Sequence, residues 1–280
     1  MQQLEITQFR SSDNDQTLYS DELFAAQISR AITESETAYS SMNFKAALKA
    51  IYFDLSNEFQ AYLIECGTDG IKKNLYDKYI RTFLLCLSPI APQFCDYVWR
   101  KLEEKESIVL QSYPVAEPYN PKLFWVERFL RKTRDNIGFA LKKKTTNNTI
   151  VIFVRPQFSE FEKQVLSLIS KNFSLGDEKA IVEAVSKEIT EKPGVYMQFL
   201  RFYAQSALEF GSFVLDPDTV ENQIEWIHKI SFAINRQLTN SPCNKYEVLT
   251  TEDTSHPLFD AQVARSSVVY LPSVKTAKTE

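Results

Sequence analysis

Residues 87–99 read Leu87-Ser-Pro-Ile-Ala-Pro-Gln-Phe-Cys-Asp-Tyr-Val-Trp99, two prolines three positions apart inside a strongly helical pattern. A proline within a helix removes a backbone donor and clashes with the preceding turn, at a cost of about 3 kcal/mol. The stretch therefore cannot be one helix. On its N-terminal side Leu75, Tyr79, Ile80, Phe83, Leu84 and Leu87 recur at helical spacing and stop at Ser88-Pro89. On its C-terminal side Phe94, Cys95, Val98, Trp99 and Leu102 form a new apolar stripe. Proline is welcome in a first helical turn, where its missing N–H would be unpaired anyway. Pro89 and Pro92 thus mark a corner between two helices.

Working outward, Phe44, Leu48, Ile51, Leu55, Phe59 and Tyr62 define the apolar face of an earlier helix. Asn43 is its expected N-cap and Gly67 its expected stop. Asp21 is an expected cap for a first helix carrying Leu23, Phe24, Ile28 and Ile32. After the corner, residues 106–121 contain Pro114, Pro118 and Pro121 and read as extended surface chain. A fifth helix, Lys122 to Lys143, carries Leu123, Phe124, Val126, Phe129, Leu130, Ile137 and Leu141.

The character changes at KKKTTNNTIVIFVRP, residues 142–156. A turn cluster precedes the β-branched run Thr149 to Val154, which Pro156 closes. Helices are expected at Glu160–Asn172, Asp177–Ile189, Val195–Phe210 and Asp216–Leu238, and strands at Lys245–Thr250 and Ser266–Pro272. The chain is read as mainly α: a linker over 1–20, a helical bundle over 21–145, a smaller α+β domain over 146–272, and a flexible tail over 273–280.

Composition narrows the functions. With only 6 glycines in 280 residues, glycine-fingerprint nucleotide folds are disfavoured. The net charge of −4 supplies no global field for nucleic acid, so any such binding needs a local patch. Cys66, Cys86, Cys95 and Cys243 form no CxxC pair and suit a reducing compartment. No apolar run reaches the ~18 residues of a membrane span, and the polar N-terminus has no signal core. A cytoplasmic protein without a membrane partner is expected. His228 sits on an amphipathic helix and His256 beside a proline; neither has the company a catalytic base needs. Asp216-Pro217-Asp218 reads as a helix start. No catalytic, cofactor-binding or metal-binding residues are assigned.

One feature is electrostatic. Arg128, Arg131, Lys132 and Asp135 recur at helical spacing, and Arg134, Lys142, Lys143 and Lys144 add to the charge. Phosphate backbones bind such stripes by counterion release, and folded RNA suits contacts that read shape and backbone. A solvated helix face is the plain alternative.

The segment RTFLLCLSPIAPQFCDYVWRKL resembles the anticodon-binding helical domain of class I aminoacyl-tRNA synthetases. In that family a helix ends in L-x-P and a second opens as P-H-x-x-E-x-x-W; Leu87, Pro89, Pro92 and Trp99 match, while Gln93 and Asp96 replace the histidine and glutamate. Residues 112–118, SYPVAEP, are similar to the family's S-W-P segment with Tyr113 for tryptophan. Phe44 to Lys49 and the second half resemble the cytosolic leucyl enzymes, over residues 20–270. The family's H-x-G-H and K-M-S-K-S motifs, which hold ATP, do not occur in these 280 residues. The resemblance therefore implies the tRNA-binding C-terminal part of a leucyl-tRNA synthetase, with tRNA(Leu) as partner and a separate catalytic core as a second. ATP and magnesium would belong to that core. Arg128, Arg131, Lys132, Arg134 and Lys142 to Lys144 become the expected tRNA contacts. The alternative is a free-standing RNA-binding or protein-interaction module of the same descent.

Overall fold

The computed structural model describes residues 9–10, 17–102, 106–142, 149–155, 157–220, 223–231, 234–235, 238, 245–250 and 268–270. The chain forms two compact units, residues 1–123 and 124–280. The described elements are mainly helical, as the periodicities require.

In the first unit, α1 (Tyr19–Ser40) buries Phe24, Ile28 and Ile32. Asp21 acts from inside the first turn, where its carboxylate accepts from the Leu18 backbone N–H at 2.9 Å. α1 ends in a left-handed residue, Met42 at φ 55°. The Asn43 N–H bonds Ala38 O at 2.8 Å and the Met42 N–H bonds Tyr39 O at 2.9 Å. That is the paired closure normally built around glycine. α2 (Phe44–Leu48) starts where expected, with the Asn43 side chain accepting from the Ala46 N–H at 3.1 Å. The expected single helix widens into a π turn over Lys49–Asp54 before α3 (Leu55–Cys66). This turn leaves Tyr52 and Phe53 half exposed. Gly67, at φ 51°, stops α3.

α4 (Lys73–Leu87) and α5 (Pro92–Lys101) flank the corner. Leu87 O accepts from both the Ile90 N–H (3.0 Å) and the Ala91 N–H (3.1 Å), which closes the turn between the prolines. Pro92 opens α5, and Ala91 O takes the Cys95 N–H at 3.0 Å. Cys95 and Trp99 then enter the core. That core is aromatic: Phe24 stacks on Tyr62 at 4.7 Å and Phe59 on Tyr79 at 4.4 Å. Each such buried ring contributes about 1.5–3 kcal/mol.

Asp96 ties the following segment down. Its Oδ1 accepts from Ser107 Oγ (2.6 Å) and the Ile108 N–H (2.9 Å), which caps a 3-10 turn over Ile108–Leu110. The stretch 112–120 is extended, as its prolines require.

Residues 1–20 do not behave as linker where they are described. Tyr19 and Ser20 open α1. Phe9 bridges Ile71 in parallel, and Arg10, its side chain 7% exposed, forms an ion pair with Asp21 at 2.7 Å. Asp21 also accepts from Tyr62 Oη at 2.7 Å, and Arg10 donates to Gly70 O at 3.1 Å.

In the second unit, β1 (Thr149–Val154) is central, parallel to β2 (Lys245–Thr250) and antiparallel to β3 (Val268–Tyr270), in the order β2-β1-β3. Thr149 faces Lys245, and Val151 faces Tyr270. Ile150 to Val154 are all buried, which explains an unbroken β-branched run in place of alternation. α7 (Glu160–Asn172) carries a reciprocal cap between Ser159 and Glu162, and Arg155 grips Glu162 at 2.7 and 3.0 Å. α8 (Glu178–Glu188) is capped by Asp177, and α9 (Pro193–Phe210) starts at a proline and stops at Gly211. The expected helix from Asp216 is broken. Asp216 Oδ1 accepts from the Asp218 N–H at 3.1 Å and begins a 3-10 turn (Pro217–Val220) before the short α10 (Gln223–Lys229). The expected strand Ser266–Pro272 is described only at Val268–Tyr270, and the tail lies outside the described residues.

The first two residues of α6 (Lys122–Leu141) precede the division between units. The bundle boundary expected at 145 and the packing boundary at 123/124 therefore differ. The reason is side-chain packing: Trp125 meets Phe202 at 5.8 Å and Phe129 meets Trp226 at 5.8 Å, on α9 and α10.

Candidate nucleic-acid interface

The first two turns of α6 are buried on nearly every side, since Phe124 to Glu127, Phe129 and Leu130 are all covered. Arg128 lies on the same arc of the helix as Arg131, Lys132 and Asp135, as spacing dictated, but α9 covers that end of the arc. Its guanidinium sits 4.6 Å from the Phe202 ring centre, 5.4 Å from Phe210 and 5.7 Å from Trp125. It donates to Ser206 Oγ at 3.2 Å and to Glu209 Oε2 at 3.1 Å. Burial pulls its pKa below the usual arginine value, against the upward pull of Glu209 and Tyr203. A half-buried cation boxed by three rings and held by two oxygens is an internal fastening. It is not an open phosphate contact, which corrects the expectation for this residue.

Arg134 and Arg131 converge on Glu127. Arg134 reaches Glu127 Oε1 at 2.6 Å and Arg131 reaches the same oxygen at 3.3 Å. The Glu127 side chain is 6% exposed and that of Arg134 15%. The triad is left with one net positive charge, presented by Arg131, whose side chain is half exposed. A buried carboxylate of this kind is retained only with such partners. Sequence reading did not single out Glu127. The signal was its spacing, four residues before Arg131 and seven before Arg134.

The C-terminal half of α6 opens an arc to solvent. Arg131, Lys132, Asp135, Phe139 and Lys142 lie on it, and Lys132 and Lys142 are exposed. The Lys142 ammonium lies 5.3 Å from the Phe139 ring centre, a cation beside an exposed aromatic face. Lys143 and Lys144 lie outside the described residues. The expected stripe is therefore concentrated in Arg131, Lys132 and Lys142.

Pro89, Pro92 and Trp99 hold the corner; Arg81 stands over the buried Trp99 ring at 5.5 Å. His228 is exposed, and His256 lies outside the described residues. Burial pushes the Cys86 and Cys95 thiols up to about 11 and raises that of Cys66. These are quiet core thiols. Among the described residues, no group of three or more His, Cys, Asp or Glu is placed to hold a metal ion, and no helix is long and apolar enough to cross a membrane.

Comparison with known proteins gives the helices a context. Residues 21–150 match the model of the anticodon-binding domain of tRNA ligase. The chain is 25% identical over 268 residues to an Arabidopsis thaliana protein named cytoplasmic leucine–tRNA ligase, covering 85% of this chain and 25% of that relative. It is 25% identical over 219 residues to the protein of that name from Pongo abelii, covering 71% of this chain and 18% of the relative. With the Neurospora crassa protein of that name it shares 30% identity over 170 residues, 55% of this chain and 15% of the relative. The matched part of these relatives is their C-terminal region. The chain thus spans a quarter or less of the length of each.

Proposed function

We infer that this chain, whose residues 21–150 form an anticodon-binding domain of the tRNA-ligase type akin to the C-terminal region of leucine–tRNA ligases, works by docking a tRNA. The observation that carries the reading is the family match over the proline-cornered bundle. The open end of α6 supports it, because it offers three cations and an exposed ring where the helix leaves its own core. The tRNA proposed is tRNA(Leu), the process leucyl-tRNA formation in the cytoplasm, and the bond-making groups are those of a catalytic core carrying the two motifs absent here. ATP and magnesium would be held there, and no cofactor is assigned to this chain.

The residues proposed to meet the RNA are Arg131, Lys132 and Lys142, with Lys143 and Lys144 next to them in sequence. Removing one cation from a phosphate lowers the slope of log affinity against log salt by roughly 0.7–0.9. Replacing Lys132 and Lys142 together by glutamate is expected to weaken tRNA binding and to reduce the slope by about two such steps. Fluorescence anisotropy with total tRNA across a salt series reads both. An affinity and slope equal to those of the parent chain would reject this surface.

A second reading is favoured by the bundle's own surface. Phe94, Tyr97, Leu110 and Val115 are each more than half exposed, and large apolar side chains left uncovered suit a protein partner. The partner proposed is the catalytic core. Binding of that core with no affinity for tRNA would support this reading over the first.

A further inference from the structure

Beside the proline corner, where α1 turns into α2, the first unit holds a cleft of about 330 Å³. That size is in the range of small-ligand sites. Its walls include Tyr39, Phe44, Tyr113, Met42 and Pro89, and its lining contains one ionisable group other than tyrosine, Glu36. Tyr39 and Phe44 have ring centres 6.0 Å apart and planes at 63°; Tyr39 and Tyr113 are 6.2 Å apart at 86°. Tyr39 thus stands steeply inclined to both Phe44 and Tyr113. Both tyrosine hydroxyls are engaged by the protein. Tyr39 Oη donates to Cys86 O at 2.8 Å, and Tyr113 Oη lies 2.6 Å from Ser35 Oγ. What the tyrosines offer the cleft is therefore ring. Glu36 is exposed and has no cationic partner among the described residues.

We propose that this cleft binds an alkylated ammonium, the head of a methylated lysine side chain or of a free quaternary amine. Ring faces carry negative quadrupole charge and attract a cation most when it is poorly hydrated. A methylated ammonium has that property together with an apolar shell that the rings, Met42 and Pro89 can cover. Glu36 supplies the countercharge. A bare phosphate or carboxylate would meet a carboxylate and an aromatic lining and is excluded on charge. The cleft shares no residue with the proposed tRNA-binding surface, and its proposal does not depend on that reading.

The test follows the methyl signal of Met42 in ¹³C-methyl-methionine-labelled protein during titration with three probes. They are a peptide containing trimethyllysine, choline, and the same peptide with the neutral tert-butyl isostere in place of the trimethylammonium. Saturable shifts with the trimethyllysine peptide, the choline arm or both are expected, and their relative strength distinguishes side chain from free amine. The neutral isostere should bind at least about fivefold more weakly. Glu36→Gln and Phe44→Ala, both at exposed positions, should each weaken the charged probe by roughly fivefold without moving the thermal midpoint by more than a degree or two. No saturation up to roughly 50 mM of either charged probe, a weaker affinity than any useful site shows, would overturn the proposal. Equal binding of charged and neutral probes would do so too, as would undiminished binding by both variants.

Discussion

Replacing Arg128 by alanine should destabilise the second unit and leave tRNA affinity unchanged. The size of the effect follows from its surroundings. Contact with three rings at 4.6–5.7 Å, together with the packed aliphatic stem, contributes about 1–2 kcal/mol. The bond to Ser206 adds about 1 kcal/mol. The pair with Glu209, whose side chain is half exposed, adds less than about 1 kcal/mol. Desolvation of the guanidinium offsets part of this sum, which leaves a net destabilisation near 2 kcal/mol. For a unit of this length that lowers the midpoint by about 4–8 °C. Trp125, one of the three rings, provides the fluorescence to follow it. Lys132→Ala, one turn on and exposed, should cost less than about 0.5 kcal/mol while weakening tRNA binding. The two variants therefore separate in opposite directions. If Arg128→Ala melts with the parent chain and instead loses tRNA affinity, the fastening described above is wrong and the simple stripe is right.

Two further outcomes are expected. Hydrogen bonds from Arg100, Ser107 and the Ile108 N–H hold the Asp96 carboxyl down at about 2, below its unfolded value near 3.9. Its contribution is therefore complete above about pH 4 and fades as pH falls toward 2; Asp96→Asn should flatten the acid limb of a circular-dichroism titration in that window, and an unchanged limb would count against the tie. Met42→Gly removes a left-handed non-glycine residue at the end of α1, so it should raise stability by about 1 kcal/mol in urea unfolding. A drop in stability there would mean that the packing of the Met42 side chain outweighs the strain.

Much of this was readable from residue types with local consequences. Asn43 and Pro92 act on backbone groups within four residues, so the helix starts appear where sequence placed them; the caps at Ser159 and Asp177 follow the same local rule, although only their helices were expected. The run Thr149 to Val154 was likewise self-announcing. The π turn at Lys49–Asp54 was not, because spacings of three and four continue through it and only packing shows the extra residue. The charge on α6 was read correctly as an arc and wrongly as an open one at Arg128. Helical spacing fixes which residues share a face; it carries no information on how far along that face a neighbour reaches. Here α9 stops short of Lys132.

The pairing of Arg10 with Asp21 also bears on where this domain can be cut. The family match begins at residue 21, inside α1. A protein trimmed to that limit keeps a carboxylate that is 3% exposed and discards the guanidinium opposite it. Orphaning one member of a buried ion pair costs about 3–5 kcal/mol, a large share of what a domain of this size has to spare. Anyone isolating the bundle should start upstream of Phe9, for the anchor of its first helix lies eleven residues before the helix residue it holds.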